Sequence, residues 1–260
     1  MPSFTKTRYI PCDKCRGKLG PKGQPGFYYN KDRTVTECSC HKQWVANNLL
    51  MVKAKKADIW MSETALLYDP KKDYYGDLSR PEMERLVDYC DAYGTDERLI
   101  RQSIYITGRE FSQKTYLAKW LGLQMLKKGY EVAYLRMSNF LQAITKTFEN
   151  REAQEKEINR LRKIDILIID DFCKKNSTAI YDYQQPNIED FLRSRIEGEQ
   201  KGVVFVSRVA PEDIRASGFN PSLQEYVLRN TRLQNAVFTF NDVYGADFDL
   251  KKAIRKHNGN

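Results

Sequence analysis

The sequence predicts an α/β protein: a five-stranded parallel sheet with helices on both faces, preceded by a small cysteine-bearing module. Three observations carry that reading. From about residue 100 onward, short apolar runs alternate with amphipathic helical patterns. One run, SIYITG, leads straight into GREFSQKT, which spans Gly108 to Thr115. Another, IDILIIDDF, ends in two adjacent carboxylates, Asp170 and Asp171. Continuous apolar strands interleaved with helices are the pattern of a sheet buried on both sides.

With 260 residues, 41% of them hydrophobic, the chain can bury one sizeable core and carry a small appended module. No apolar run approaches the roughly 18 residues of a membrane span. The N-terminal MPSFTKTRYIPCDK lacks the apolar stretch of a secretory signal, so a soluble, cytoplasmic protein is expected. A formal charge of +9 favours an anionic partner, of which nucleic acid is the commonest.

The first 41 or so residues are rich in Gly, Pro, Lys and Tyr and show no long apolar period. Such a segment buries too little apolar area to fold without a cross-link. Four of the six cysteines supply one: Cys12-x-x-Cys15 and Cys38-Ser39-Cys40 form two close pairs. In a reducing compartment two such pairs read as four thiolates around a tetrahedral Zn²⁺, with His41 as an alternative fourth ligand to Cys40. A closed ligand set makes the zinc structural. Cys90 sits in a helical pattern as a small apolar residue, and Cys173 has no assigned role.

Helical spacing follows from His41 to about Lys56, with Trp44, Leu49 and Leu50 as a candidate partner surface. Residues 58–80 read as an ordered linker with aromatic anchors. RPEMERLVDYCDAY then forms a helix with Met83, Leu86, Val87 and Cys90 on one side. The expected division is a zinc-binding module with its helix over 1–57, a linker over 58–80 and a nucleotide-binding domain over 81–260. Within the last, strands are expected at about 102–107, 131–136, 164–169, 203–207 and 236–240. Helices are expected at about 114–128, 138–148, 152–161, 186–198, 211–217 and 222–234.

GREFSQKT fits the phosphate-binding pattern G-x-x-x-x-G-K-[ST] except that Gln113 stands where the second glycine belongs. Gly108 marks the tight turn at the strand end, and Lys114 and Thr115 open a helix whose backbone N–H groups make an anion site. Lys114 is placed to reach the terminal phosphates and the Thr115 hydroxyl to hold Mg²⁺. Asp170, ending the acidic strand, is placed to hold the same Mg²⁺, and Asp171 to polarise an attacking water. KGVVFVSRV ends in Ser207 and Arg208, where a polar group can sense a γ-phosphate. Arg229 and Arg232, in YVLRNTRL, are candidates to reach a neighbouring subunit's nucleotide.

On these residues the chain resembles the DnaC/IstB-type AAA+ ATPases, most closely phage-encoded replicative helicase loaders. The resemblance runs from the C-x-x-C…C-x-C ribbon through PEMERLVDYCDAY, SIYITG, EVAYLRMSNFL, IDILIIDDF, VVFVSR with PEDI, and RNTRL. It implies an AAA+ (ASCE P-loop) ATPase that self-associates in a spiral or ring and binds single-stranded DNA. It also implies that the N-terminal module engages the replicative helicase and helps to place it on DNA. An IstB-like transposition ATPase and a non-catalytic nucleotide-binding adaptor are the alternatives. The loop residues Gly108, Arg109, Glu110, Phe111, Ser112, Gln113, Lys114, Thr115 and Tyr116 would then cradle ATP with Asp170. Ser207 matches the first sensor position, Arg232 the arginine finger and Arg229 its second choice. Three departures stand out: Gln113 for glycine, Arg208 for the usual asparagine, and a C-terminal YGADFDLKK without a clear second-sensor arginine.

Overall fold

A computed structural model describes residues 9–59, 69–73, 79–93, 95–145, 151–173, 178–231 and 236–241. It divides into two compact units, residues 1–56 and 57–260. Among the described residues no helix is long and apolar enough to cross a membrane.

The first unit is a hairpin followed by a helix. Strands β1 (Phe27–Tyr29) and β2 (Val35–Glu37) pair antiparallel, with Phe27 opposite Glu37 and Tyr29 opposite Val35. The turn between them is closed by Asp32, whose carboxylate accepts from the Thr34 amide at 3.0 Å and the Thr34 hydroxyl at 2.6 Å. Helix α1 (Ser39–Lys56) follows directly. Gly26 is required where it stands: its φ is 93°, and a Cβ there would lie 2.5 Å from the Cβ of His41. Tyr9, Phe27, His41 and Trp44 gather their rings into a miniature core, with centroids 5.0 Å apart for Phe27 and His41 and 5.8 Å for Tyr9 and Trp44.

The second unit is the expected α/β layer structure. Helices α2 (Pro70–Asp73), α3 (Arg80–Tyr93) and α4 (Glu97–Ile100) precede strand β3 (Ile104–Gly108). The alternation continues through α5 (Lys114–Lys127), β4 (Val132–Arg136), α6 (Met137–Ile144), α7 (Arg151–Lys163) and β5 (Ile166–Phe172). It closes with α8 (Thr178–Arg193), β6 (Val203–Ser207), α9 (Pro221–Thr231) and β7 (Val237–Phe240). The five strands pair in parallel in the order β4-β5-β6-β3-β7. Strand β6 therefore lies between the strand that feeds the phosphate loop and the strand that ends in Asp170 and Asp171. Ile104, Ile106 and Ile166 through Ile169 are buried, as a doubly covered sheet requires. Helix α3 buries Met83, Leu86, Val87 and Cys90, the side its apolar spacing marked out.

Four local features differ from the sequence expectation. Strand β5 runs on to Phe172, because a register shift between Ile169 and Phe172 absorbs the two aspartates without ending the strand. Helix α8 starts at Thr178, not near 186, and keeps Pro186 inside. Its proline surrenders one backbone bond, while adjacent Gln185 is fully buried, accepting from the Asn220 amide at 2.5 Å and donating to the Gly218 carbonyl at 3.3 Å. The helix expected at 211–217 is two short 3₁₀ turns, Pro211–Asp213 and Arg215–Ser217. Helix α4, capped by the Asp96 carboxylate, was not anticipated.

A buried arginine joins several of these elements. Arg195, in the π-turn Ser194–Gly198 after α8, is fully shielded from solvent. Its guanidinium donates to the carbonyls of Leu161, Arg162, Ile164, Asp165 and Gly202 at 2.8–3.1 Å. It thereby ties the end of α7, the approach to β5 and the approach to β6.

Candidate nucleotide and metal sites

The phosphate loop leaves β3 at Gly108, whose φ of 134° and 1.8 Å approach of a hypothetical Cβ to the Phe240 carbonyl oxygen exclude any side chain. Arg109, Glu110 and Phe111 are exposed, whereas Ser112, Gln113 and Lys114 are buried. Gln113 takes the left-handed conformation that the pattern's glycine would take, with φ at 63°, and caps the start of α5. Both polar atoms of its carboxamide are buried without a hydrogen-bond partner. Lys114 folds back over the loop, donating to the Arg109 carbonyl and, at 3.0 Å, to the Ser112 hydroxyl. Burial, with Arg208 nearby, pushes its ammonium down to about 8. A buried cation next to another cation is a site that an anion relieves.

The expected juxtaposition of loop and acidic strand is present. Thr115, at the start of α5, donates its hydroxyl proton to Asp170 Oδ2 at 2.8 Å. Asp170 is 6% exposed, and its Oδ1 accepts from the Asp171 amide at 2.8 Å. Asp171 is half-buried and holds a left-handed φ of 55° within the register shift, which turns it away from the strand's regular alternation. Thr115 and Asp170 thus converge two hard oxygens at the position where a divalent cation would sit between loop and strand. An open cavity of about 520 Å³ adjoins the loop at the carboxyl ends of β3, β6 and β7, lined by Gly108, Arg109, Arg208 and Asp213 among others. That is where ligands bind open α/β sheets.

Ser207, Arg208 and Arg229 each engage other groups of the protein. The Ser207 hydroxyl is buried, donating to the Phe172 carbonyl at 2.6 Å and accepting from the Val209 amide at 3.0 Å. Its proton goes to the backbone. Arg208, beside it, pairs with Glu110 of the phosphate loop at 2.8 Å. Arg229 pairs with Glu197 at 2.8 Å on the outer side of α9. Arg232 lies outside the described residues, as does the C-terminal YGADFDLKK. Tyr116 is half-buried in the first turn of α5. Tyr134 was missed by sequence reasoning: from β4 its hydroxyl donates to Asp170 Oδ2 at 2.5 Å.

In the first unit the Sγ atoms of Cys12, Cys15, Cys38 and Cys40 lie within 4.8 Å of one another. Contacts within the set measure 3.8 Å (Cys12–Cys15), 3.4 Å (Cys12–Cys38) and 3.3 Å (Cys15–Cys40). A tetrahedron of Zn–S bonds about 2.3 Å long sets sulfurs about 3.8 Å apart, so the cluster fits that ion with slight expansion. His41 is not in the set; its Nδ1 meets Glu37 at 2.7 Å. Tyr9, another residue that sequence reasoning missed, places its hydroxyl 2.9 Å from Cys40 and 3.2 Å from Cys15. Its hydrogen bond holds the Cys15 thiol down at about 6, favouring the thiolate form that metals require.

Residues 97–192 match the family model described as IstB-like ATP binding protein. Over those residues the core is similar to the IstB-like ATP-binding family. Among solved structures, the core resembles the DnaC helicase loader at 13% identity and a TM-score of 0.53, over 69% of this chain and 100% of that one. It resembles a proposed primosome component from Streptococcus pyogenes serotype M3 at 18% identity and a TM-score of 0.52, over 70% and 91%. DnaI follows at 14% identity and a TM-score of 0.50, over 70% and 95%. At such identities these likenesses establish the AAA+ fold. The chain spans about half the length of the replication-initiator structures it also matches, 51%, 49% and 47%. No curated protein sequence matches the chain.

Proposed function

We propose that this chain is an ATP-dependent loader that engages a replicative DNA helicase through its N-terminal unit and helps to place it on single-stranded DNA. The observation that carries the ATPase part is the Thr115–Asp170 contact, which brings the phosphate loop and the acidic strand onto one point. Lys114 binds the terminal phosphates, and Thr115 and Asp170 hold Mg²⁺. When bound, that ion would supply neutralisation of charge on the phosphates. Asp171 orients the attacking water. Arg232, with Arg229 as second choice, reaches the nucleotide of the next subunit in a spiral or ring. Cys12, Cys15, Cys38 and Cys40 hold a structural Zn²⁺. The loader assignment draws on the likeness to DnaC and DnaI and on the cysteine unit joined to the core.

The decisive experiment mixes the zinc-loaded protein with a replicative helicase and a non-hydrolysable ATP analogue and measures complex formation by size-exclusion chromatography with light scattering. A nucleotide-dependent complex is expected; no complex under any nucleotide condition overturns the loader. The IstB match favours one second reading, an ATPase that remodels DNA for a transposase, which duplex-DNA bending would reveal. The Arg208–Glu110 pair and Gln113 favour another, a non-catalytic adaptor. ATP turnover with and without DNA separates it from an ATPase. Turnover lost in Asp171→Asn supports an ATPase, and equal background turnover in both proteins supports the adaptor.

A further inference from the structure

Asp170 Oδ2 is held by two hydroxyls from two different elements. Thr115 approaches from α5 at 2.8 Å and Tyr134 from β4 at 2.5 Å. Strand β4 is the parallel neighbour of β5, with Tyr134 opposite Ile168 and Arg136 opposite Asp170. Residues two apart share a face of the sheet, so Tyr134 and Asp170 are diagonal neighbours, and a long phenol spans that diagonal. Tyr134 is itself firmly placed. It is 4% exposed, its amide donates to the Ala57 carbonyl at 2.9 Å, and the Lys119 ammonium lies 4.4 Å from its ring centroid. A cation over the ring draws density from the phenol and strengthens its O–H as a donor.

The two hydroxyls would be used differently when a cation is held. Thr115 would offer the ion an oxygen lone pair while its proton stays on Asp170. Tyr134 reaches the same Oδ2 from the neighbouring strand as a donor to the carboxylate. We infer that Tyr134 is a positioning residue for the cation-holding carboxylate, fixing the rotamer of Asp170 from β4 while Thr115 offers its lone pair to the ion. This rests on the reading of Thr115 and Asp170 as the Mg²⁺ site. Partners of this kind, one layer behind a ligating carboxylate, alter metal affinity by about 10–100-fold when removed.

The test is equilibrium binding of a fluorescent ATP analogue to the full chain across a Mg²⁺ series and in EDTA, for the wild-type protein, Tyr134→Phe, Asp170→Asn and the double variant. The phenylalanine keeps the ring and its cation contact, and thermal unfolding without added Mg²⁺ or chelator checks that the fold is retained. Tyr134→Phe is expected to raise the Mg²⁺ midpoint about tenfold and to leave affinity in EDTA within about twofold. On the Asp170→Asn background the same change should add nothing, because the carboxylate it positions is gone. An unchanged midpoint, or an equal loss in EDTA and in Mg²⁺, overturns the positioning role. A wild-type protein whose binding ignores Mg²⁺ overturns the cation site itself, and the inference with it.

Discussion

Gln113 combines two costs in one residue. An L side chain held in the left-handed region costs about 1–2 kcal/mol relative to glycine, and Gln113 sits there at φ 63°. Its carboxamide adds a second cost, since both polar atoms are buried without partners and such a group loses about 1–3 kcal/mol of hydration. Gln113→Gly removes both and gives back about 1 kcal/mol in chain entropy. The variant is therefore expected to raise the unfolding free energy by about 1–4 kcal/mol, read by denaturant titration. It should also tighten ATP-analogue binding, because the loop's amides gain the backbone freedom to settle around phosphate. Unchanged or weaker affinity would count against this account. Sequence alone located the residue and its conformational problem. It gave no sign of the amide's burial, which depends on how the loop folds back over Lys114.

Elements in this fold are joined by groups that no periodicity announces, and Arg195 is the clearest case. Five main-chain carbonyls from the end of α7 and from the approaches to β5 and β6 share one guanidinium. Burial pushes the group down to about 10, which still leaves it cationic at neutral pH. Arg195→Met fills similar volume but strands the carbonyls, and breaking such a buried charged network typically costs about 3–5 kcal/mol. We expect a loss of that size in chemical denaturation. A loss below about 1 kcal/mol would show that water replaces the guanidinium. The apolar runs made β3 to β7 legible, because burial on both faces leaves a continuous signature. The start of α8 was not legible: Pro186 marks a helix beginning by local rules, and only the buried Gln185 bridge to Asn220 explains why the helix runs through it. Ser207 shows the same limit at the site. Its position matched a motif, while its proton went to Phe172 through a strand pairing that only the sheet reveals.

For the molecule as a whole, the division between Lys56 and Ala57 separates two kinds of folding. The larger unit buries a continuous apolar core across its sheet and helices. Among the described residues the smaller one has two three-residue strands, one helix and a few rings in edge-on and tilted contact. That inventory is too small to offset chain entropy, so on the proposed zinc assignment its folding free energy comes from metal ligation. Four thiolates replacing four thiols also make that ligation acid-labile, since each ligand must lose a proton to bind. A zinc-selective chelator, with Mg²⁺ held in excess, is therefore expected to abolish near-ultraviolet signals from Trp44 and Tyr9 while leaving ATP-analogue affinity within about twofold. The factor follows from assigning the nucleotide contacts to the larger unit alone. Thermal unfolding should then lose one transition and keep the other, and added Zn²⁺ should restore the first. Cys15→Ser should reproduce the chelated state without chelator, because it removes a thiolate from the set. If both treatments leave the near-ultraviolet spectrum intact, the ring cluster folds unaided and the four sulfurs are not its cross-link.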